Sequence, residues 1–395
     1  MREFDPASIQ HCIGPMRAGD AVERVLPRTL FAAARDEISR WDGYAETPLI
    51  ALPTLAQSIG IDALWYKDEG PRFGLGSFKA LGGAYAALRL LTRTLSSDNE
   101  GDLLDEIRDG KRTTDCGRLT LVSATDGNHG RSLAWGCRRF GARCRIYIHA
   151  EVSDGRADAM RELGAEVIRI DGDYDQSVAV ARDEAAANGW YVVSDTAWPG
   201  YTQVPTEVMA GYGIMPIEAA DQLAEPPTHA LVQGGVGGMA AAVASALVQR
   251  WGDAAPRIIV VEPDRAACLL ASAKAGRSTT VSVAEETIMA GLSCGEPSPL
   301  AWEVLAETAD DFLAIPDSMV APAMRLLARP QGDDPRIQAG ESAVAGLAAL
   351  IAARRDPELS GKLQLDATSR ALVFGSEGVT DPEIYATIMA DETTP

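Results

Sequence analysis

Lys79 stands in Ser77-Phe78-Lys79-Ala80-Leu81-Gly82-Gly83, after the strand-like Leu64–Glu69 and at the head of an apolar helix that runs to Leu91. A lysine among Phe78, Ala80 and Leu81 is partly desolvated, which lowers its pKa and makes its amine a nucleophile able to form a Schiff base. Gly82 and Gly83 each cost about 1 kcal/mol against alanine inside a helix, so the pair predicts a close approach by another element. A surface lysine beside a flexible loop is the competing reading. Two carboxylates could share proton transfers with such an amine. Asp126 lies in Ser123-Ala124-Thr125-Asp126-Gly127-Asn128-His129-Gly130-Arg131, and Asp195 in Ser194-Asp195-Thr196-Ala197-Trp198. Each also has a plainer reading, Asp126 as a complement to a helix dipole and Asp195 as a solvated loop residue.

Further segments offer binding groups. Gln233-Gly234-Gly235-Val236-Gly237-Gly238-Met239 joins a strand to a helix, so backbone N–H groups and the helix N-terminus can meet a phosphate dianion. It lacks both the GxGxxG spacing of a dinucleotide site and a Walker lysine. Thr125, Gly127 and Asn128 open a helix and offer donors to a carboxylate, with the Asn128 side-chain amide as a donor to a ring oxygen. His129 reads as a packed or capping residue more than as a general base. Ser376 follows the last strand and could offer its hydroxyl to a heterocycle nitrogen. Met289–Pro297 and Gly340–Ala343 are polar stretches in apolar surroundings and are expected to line the same site.

Positioning these groups requires a strand–helix alternation, and the chain supplies one. Strands are predicted at 119–123, 143–148, 166–170, 190–194, 229–233, 257–262, 311–315 and 371–374, with helices at 129–140, 153–163, 175–188, 239–250 and 339–353. Short connections between them imply α/β architecture: two doubly wound open sheets of parallel strands, with the active-site cleft between them. The expected division is 1–85 with 195–395 as a large discontinuous domain, and 86–194 as a small α/β domain. Residues up to Thr47 read as a weakly helical lead-in, and Leu95–Arg118 as an exposed insertion.

Composition narrows the function. The 395 residues carry 36 Lys and Arg against 56 Asp and Glu, a net charge of −20 spread along the chain, which repels nucleic acid and anionic membranes. No apolar run is long enough to span a bilayer, and residues 1–6 carry no signal-like core, so a cytoplasmic location is expected. Six scattered cysteines and four histidines without metal-ligand spacing argue against a metal site and a disulfide scaffold. Cys268 with Cys294 is one pairing left open.

These motifs, in this order, resemble those of the tryptophan-synthase-like (fold type II) enzymes dependent on pyridoxal 5'-phosphate (PLP). The resemblance runs over nearly all the chain after Thr47. It implies that Lys79, preceded by Ser77 and Phe78, carries the cofactor as a Schiff base. It further implies that Asn128 meets the ring oxygen, that Gly234, Gly235, Val236, Gly237 and Gly238 hold the phosphate, and that Ser376 meets the ring nitrogen. Ser77, Thr125, Asp126, Gly127 and His129 are then expected at the substrate. Within the family the chain is similar to the diaminopropionate ammonia-lyases, through Arg72-Phe73-Gly74-Leu75, Ala124–Arg131, Asp195–Trp198 and Met289–Glu296. That group commonly reads Asn-Ala-Phe-Lys where this chain has Gly76-Ser77-Phe78-Lys79. The resemblance implies a homodimer that eliminates ammonia from 2,3-diaminopropionate, with Lys79, Asp126 and Asp195 catalytic. A threonine or serine dehydratase of the same fold, a nucleotide-dependent oxidoreductase and a non-catalytic PLP-binding protein are the alternatives.

Overall fold

The computed structural model describes residues 3–96, 100–125, 127–172 and 174–390. In chain order its strands are β1 (Gln10–Ile13), β2 (Leu49–Ala51), β3 (Ala63–Asp68), β4 (Thr120–Ala124), β5 (Arg143–Ile148) and β6 (Glu166–Arg169). They continue with β7 (Tyr191–Val192), β8 (His229–Gln233), β9 (Arg257–Pro263), β10 (Asp311–Ile315) and β11 (Arg370–Gly375). Four helices matter most below: α1 (Lys79–Leu95), α2 (Asn128–Phe140), α3 (Gln203–Tyr212) and α4 (Gly238–Trp251).

The chain divides into two compact units: residues 1–28, 46–78 and 213–395, and residues 29–45 with 79–212. The larger unit holds a seven-stranded sheet in the order β1-β10-β9-β8-β11-β3-β2. Its five central strands run parallel, and β1 and β2 close the edges antiparallel. Strands buried on both faces need continuous apolar runs, and β8 and β10 are buried throughout. The helix Ala345–Ala353 is buried along its whole length and packs on β8 and β9. The smaller unit holds the parallel sheet β6-β5-β4-β7.

The units are drawn at 78/79 and 212/213, whereas the sequence pattern suggested 85/86 and 194/195. Packing accounts for the difference: α1 lies along α2 and α3, so all of α1 and the stretch through Tyr212 fall within the smaller unit. Residues 29–45 fall there too, with Trp41 against Trp135 and Phe140. The expected insertion is partly helical instead, with Glu100–Arg108 and Thr113–Cys116. Leu103 and Ile107 are spaced one helical turn apart and are both buried, which is the apolar face that its polar composition masked.

Candidate active site

In the smaller unit Lys79 is the first residue of α1. Its Nζ donates to Asp195 Oδ2 at 2.5 Å and stands 5.5 Å from the centroid of the Tyr212 ring. Both partners keep some access, with 19% of the lysine and 14% of the aspartate side chain exposed. Burial alone would raise the Asp195 carboxyl, but the Lys79 and His129 charges and the Lys79 hydrogen bond outweigh it. The carboxyl is held well below the usual carboxylate range. The sequence suggested apolar neighbours for Lys79, and the structure places this carboxylate on it, 116 positions along the chain.

The two glycines of α1 meet the close approach they predicted. A Cβ at Gly82 would lie 2.3 Å from the Tyr212 ring of α3, and one at Gly83 would lie 2.6 Å from Ser132 Oγ of α2. Ser132 Oγ also accepts the Ala84 N–H at 3.1 Å, between turns of the same helix pair. Tyr212 was absent from the sequence reading, since nothing local marks a tyrosine 133 residues from Lys79 as its neighbour.

At the start of α2, Thr125 is buried and its Oγ1 accepts the Gly127 N–H at 3.1 Å. Gly130 lacks room for any side chain, because a Cβ would sit 2.5 Å from both Thr125 Cγ2 and Met160 Sδ. Asn128 opens the helix, and His129 is buried, with its Nε2 3.0 Å from the Val193 carbonyl oxygen, as the packed-histidine reading expected. Asp126, expected as a second base, lies outside the described residues. Beyond β7, the Tyr201 hydroxyl accepts the Ser194 N–H at 3.0 Å and donates to the Val192 carbonyl at 2.9 Å, which fixes the backbone next to Asp195.

In the larger unit β8 runs straight into the glycine loop. Gly237 has φ +96, and a Cβ at Gly234 would lie 2.8 Å from Leu269 and Val260. Side chains are therefore disfavoured at Gly234 and Gly237, in a loop whose backbone N–H groups could meet an anion. The fourteen-residue α4 begins at the loop and has no acidic residue in its first turn. Glu262 stands close behind, with its Cγ 3.1 Å from the Gly234 Cβ position. Burial pushes its carboxyl up to about 8, against the N–H groups of Leu269 and Leu270 that its two oxygens accept.

Ser376 is buried just past β11, and its carbonyl accepts the Phe78 N–H at 3.0 Å. Ser77 is buried too and bridges to Glu377. The two polar stretches do come together, as Gly291 N–H donates to Ser342 Oγ at 3.2 Å. Among the described residues no disulfide joins the cysteines and no cluster could hold a metal ion.

The sequence matches the model of the family described as "Pyridoxal-phosphate dependent enzyme" over residues 40–368. The diaminopropionate ammonia-lyase of Escherichia coli K12 is 41% identical over 353 residues, 88% of each chain. That of Salmonella typhimurium LT2 is 38% identical over 365 residues, also 88% of each. The solved E. coli lyase in complex with an aminoacrylate-PLP azomethine reaction intermediate superposes with a TM-score of 0.88, at 38% identity over 98% of this chain and 97% of that one. A threonine deaminase from Solanum lycopersicum reaches 0.73 at 18% identity and shares the fold alone.

The residues fit PLP in kind, unit by unit. The larger unit has a glycine-rich turn at a helix N-terminus that could take the phosphate and a buried serine that could take the ring nitrogen. The smaller has a partly exposed lysine that could take the aldehyde. Sequence, fold and site chemistry agree that this chain belongs to the pyridoxal-phosphate-dependent enzymes of fold type II, within the group of the diaminopropionate ammonia-lyases.

Proposed function

We propose that the chain converts 2,3-diaminopropionate to pyruvate, with a net uptake of one water and release of two molecules of ammonia. The observation that carries the assignment of roles is the Lys79–Asp195 pair. PLP, when bound, supplies an electron sink for the carbanion formed at Cα. Lys79 would hold the cofactor, Asn128 its ring oxygen, Gly234–Gly238 its phosphate and Ser376 its ring nitrogen, with Phe78 leading into Lys79. Ser77, Thr125, Gly127 and His129 serve the substrate end.

The freed Lys79 amine takes the Cα proton of an L-amino acid, and Asp126 takes it from the opposite face of a D-amino acid. Asp195 is held ionised, so it favours the 3-ammonium form of the substrate. That form departs as neutral ammonia without needing an acid from the enzyme. A serine hydroxyl can only donate a hydrogen bond to the same anion and gains no charge attraction, which favours diaminopropionate over hydroxy amino acids. The three-carbon product then takes up water to give pyruvate and the second ammonia. The reading includes a cytoplasmic homodimer, which size-exclusion chromatography with light scattering and cell fractionation would test. No described helix is long and apolar enough to cross a membrane.

The deciding assay incubates the PLP-loaded protein with D- and L-2,3-diaminopropionate, D- and L-serine and L-threonine, and follows pyruvate, 2-oxobutanoate and ammonia. Diaminopropionate is expected to turn over fastest. Faster turnover of serine or threonine would make the chain a dehydratase and overturn the assignment. A solved structure of the E. coli lyase holds D-serine, so that arm matters most.

A further inference from the structure

Arg72 belongs to the Arg72–Leu75 stretch that the sequence singles out and that the proposed chemistry leaves without a task. In the larger unit it is the bulkiest fully buried side chain described. Its Nε and Nη2 donate to the Glu69 carboxylate, both at 2.8 Å, and its Nη1 and Nη2 to Glu218 at 2.9 and 2.7 Å. Nη2 also reaches the Thr47 hydroxyl at 3.0 Å. Lys67 completes the set, donating to Glu218 at 2.8 Å and to the Thr47 carbonyl at 2.7 Å. Two carboxylates gripped at once by one planar fork is a geometry that a lysine cannot supply.

The segment that leaves this anchor is bent. Phe73 has φ +51, Gly74 +70 and Gly76 +77, and a left-handed phenylalanine persists only where its surroundings hold it. The same segment grips the end of β11. Glu69 N–H donates to the Gly375 carbonyl at 2.8 Å, Phe78 N–H to the Ser376 carbonyl at 3.0 Å, and Gly378 N–H to the Gly76 carbonyl at 2.9 Å. Ser376 thus sits in a turn tied at three points to the backbone on either side of Arg72.

We propose that Arg72 is a positioning residue: through the 73–78 segment it fixes Ser77 and Ser376, and with them the seat of the cofactor ring. It touches no reacting atom, and the inference rests on the reading of Ser376 as the partner of the ring nitrogen. A network that served stability alone would make Arg72 and Lys67 equivalent, whereas only Arg72 is the root of the bent segment.

The test compares PLP-loaded wild type with Arg72→Lys, Arg72→Met and Lys67→Met. Melting temperature, the absorbance band of bound PLP, its release rate on dilution, kcat and KM are measured for each. Both Arg72 variants are expected to shift the band, release PLP about tenfold faster or more, and lose kcat more than they raise KM. Lys67→Met, at a similar loss of melting temperature, should release PLP at close to the wild-type rate. Equal release rates across the three variants, or Arg72 variants that behave as wild type, overturn the proposal. If the Arg72 variants fail to fold, Gly74→Ala decides: its Cβ meets nothing within 4 Å, so it strains only the segment and leaves the network intact. Faster release is expected there too, and an unchanged rate overturns the proposal. A Ser376→Ala protein with an unaltered band would instead overturn the reading of Ser376.

Discussion

Lys67 and Lys79 stand twelve residues apart, each on a carboxylate, and they are built for opposite ends. Lys67 is enclosed, its side chain and that of Glu218 wholly inaccessible, and burial lowers its pKa against the pull of Glu218 and Glu69. Lys79 keeps 19% of its side chain open to solvent and Asp195 14%. A charge sealed among fixed partners is scaffolding, because leaving them strands it in a low dielectric. A charge with access to water can exchange one partner for another at modest cost, which is what an amine that must bind and release an aldehyde has to do.

Substituting each lysine should separate the two cases. Lys79→Ala is expected to lose about 10³-fold or more in kcat, and the bound-cofactor absorbance with it, while urea unfolding stays near wild type. Lys67→Met should do the reverse. It removes one cation facing Glu218 and costs about 3–5 kcal/mol in urea titration, with the activity of the folded fraction largely retained. Retained absorbance in the first variant, or wild-type stability in the second, would break the comparison.

Asp195→Asn probes the accessible pair more finely. A loss of about 10²-fold in kcat is expected, falling harder on diaminopropionate than on serine. The pH dependence follows from the sign of the shift. The Asp195 pKa is depressed in the folded protein, so its charge is present above the ordinary carboxylate value and is lost only as pH falls through the lowered one. In the cofactor-free protein, where the Lys79 amine is available to this pair, Asp195 therefore contributes its full stabilisation through about pH 4 to 5 and loses it only below about pH 4. A loss of unfolding free energy between about pH 5 and 4 that vanishes in Asp195→Asn would contradict the pairing.

The smallest effects concern the helix that carries Lys79. Gly82→Ala forces a methyl into the Tyr212 ring and should destabilise by about 1–3 kcal/mol. Gly155→Ala is the control, since its Cβ meets nothing within 4 Å and it sits inside a helix, so it should be neutral or slightly stabilising. Thermal unfolding of the two variants side by side gives the difference.

How far these features could be read in advance depended on how local their signals are. Strand–helix alternation is written in short windows, and β5 and β8 fall where their apolar runs end. Ser153 caps its helix as its residue type suggests, accepting the Arg156 N–H. Gly82 and Gly83 announced a close approach because glycine mid-helix has no other local reason. What covers them, Tyr212 and Ser132, lies over a hundred and about fifty positions away, and no window contains both sides. The partner of Lys79 is hidden for the same cause: the sequence offers Asp195 as a carboxylate that could share proton transfers or as a solvated loop residue, not as the counter-ion of the lysine. The Lys67–Glu69 alternation in an apolar strand was a visible clue to a buried network, yet Glu218 and Thr47 join it only through the fold.

The missing methyl groups of Gly82 and Gly83 also limit how the smaller unit can move. With the Tyr212 ring and the Ser132 hydroxyl occupying that space, α1 can neither roll about its axis nor ratchet along α2 and α3 without collision. Any opening or closing during turnover must then carry the three helices as one block, with hinges outside them. The amine of residue 79 would keep its aim throughout, because the part that bears it is not the part that bends.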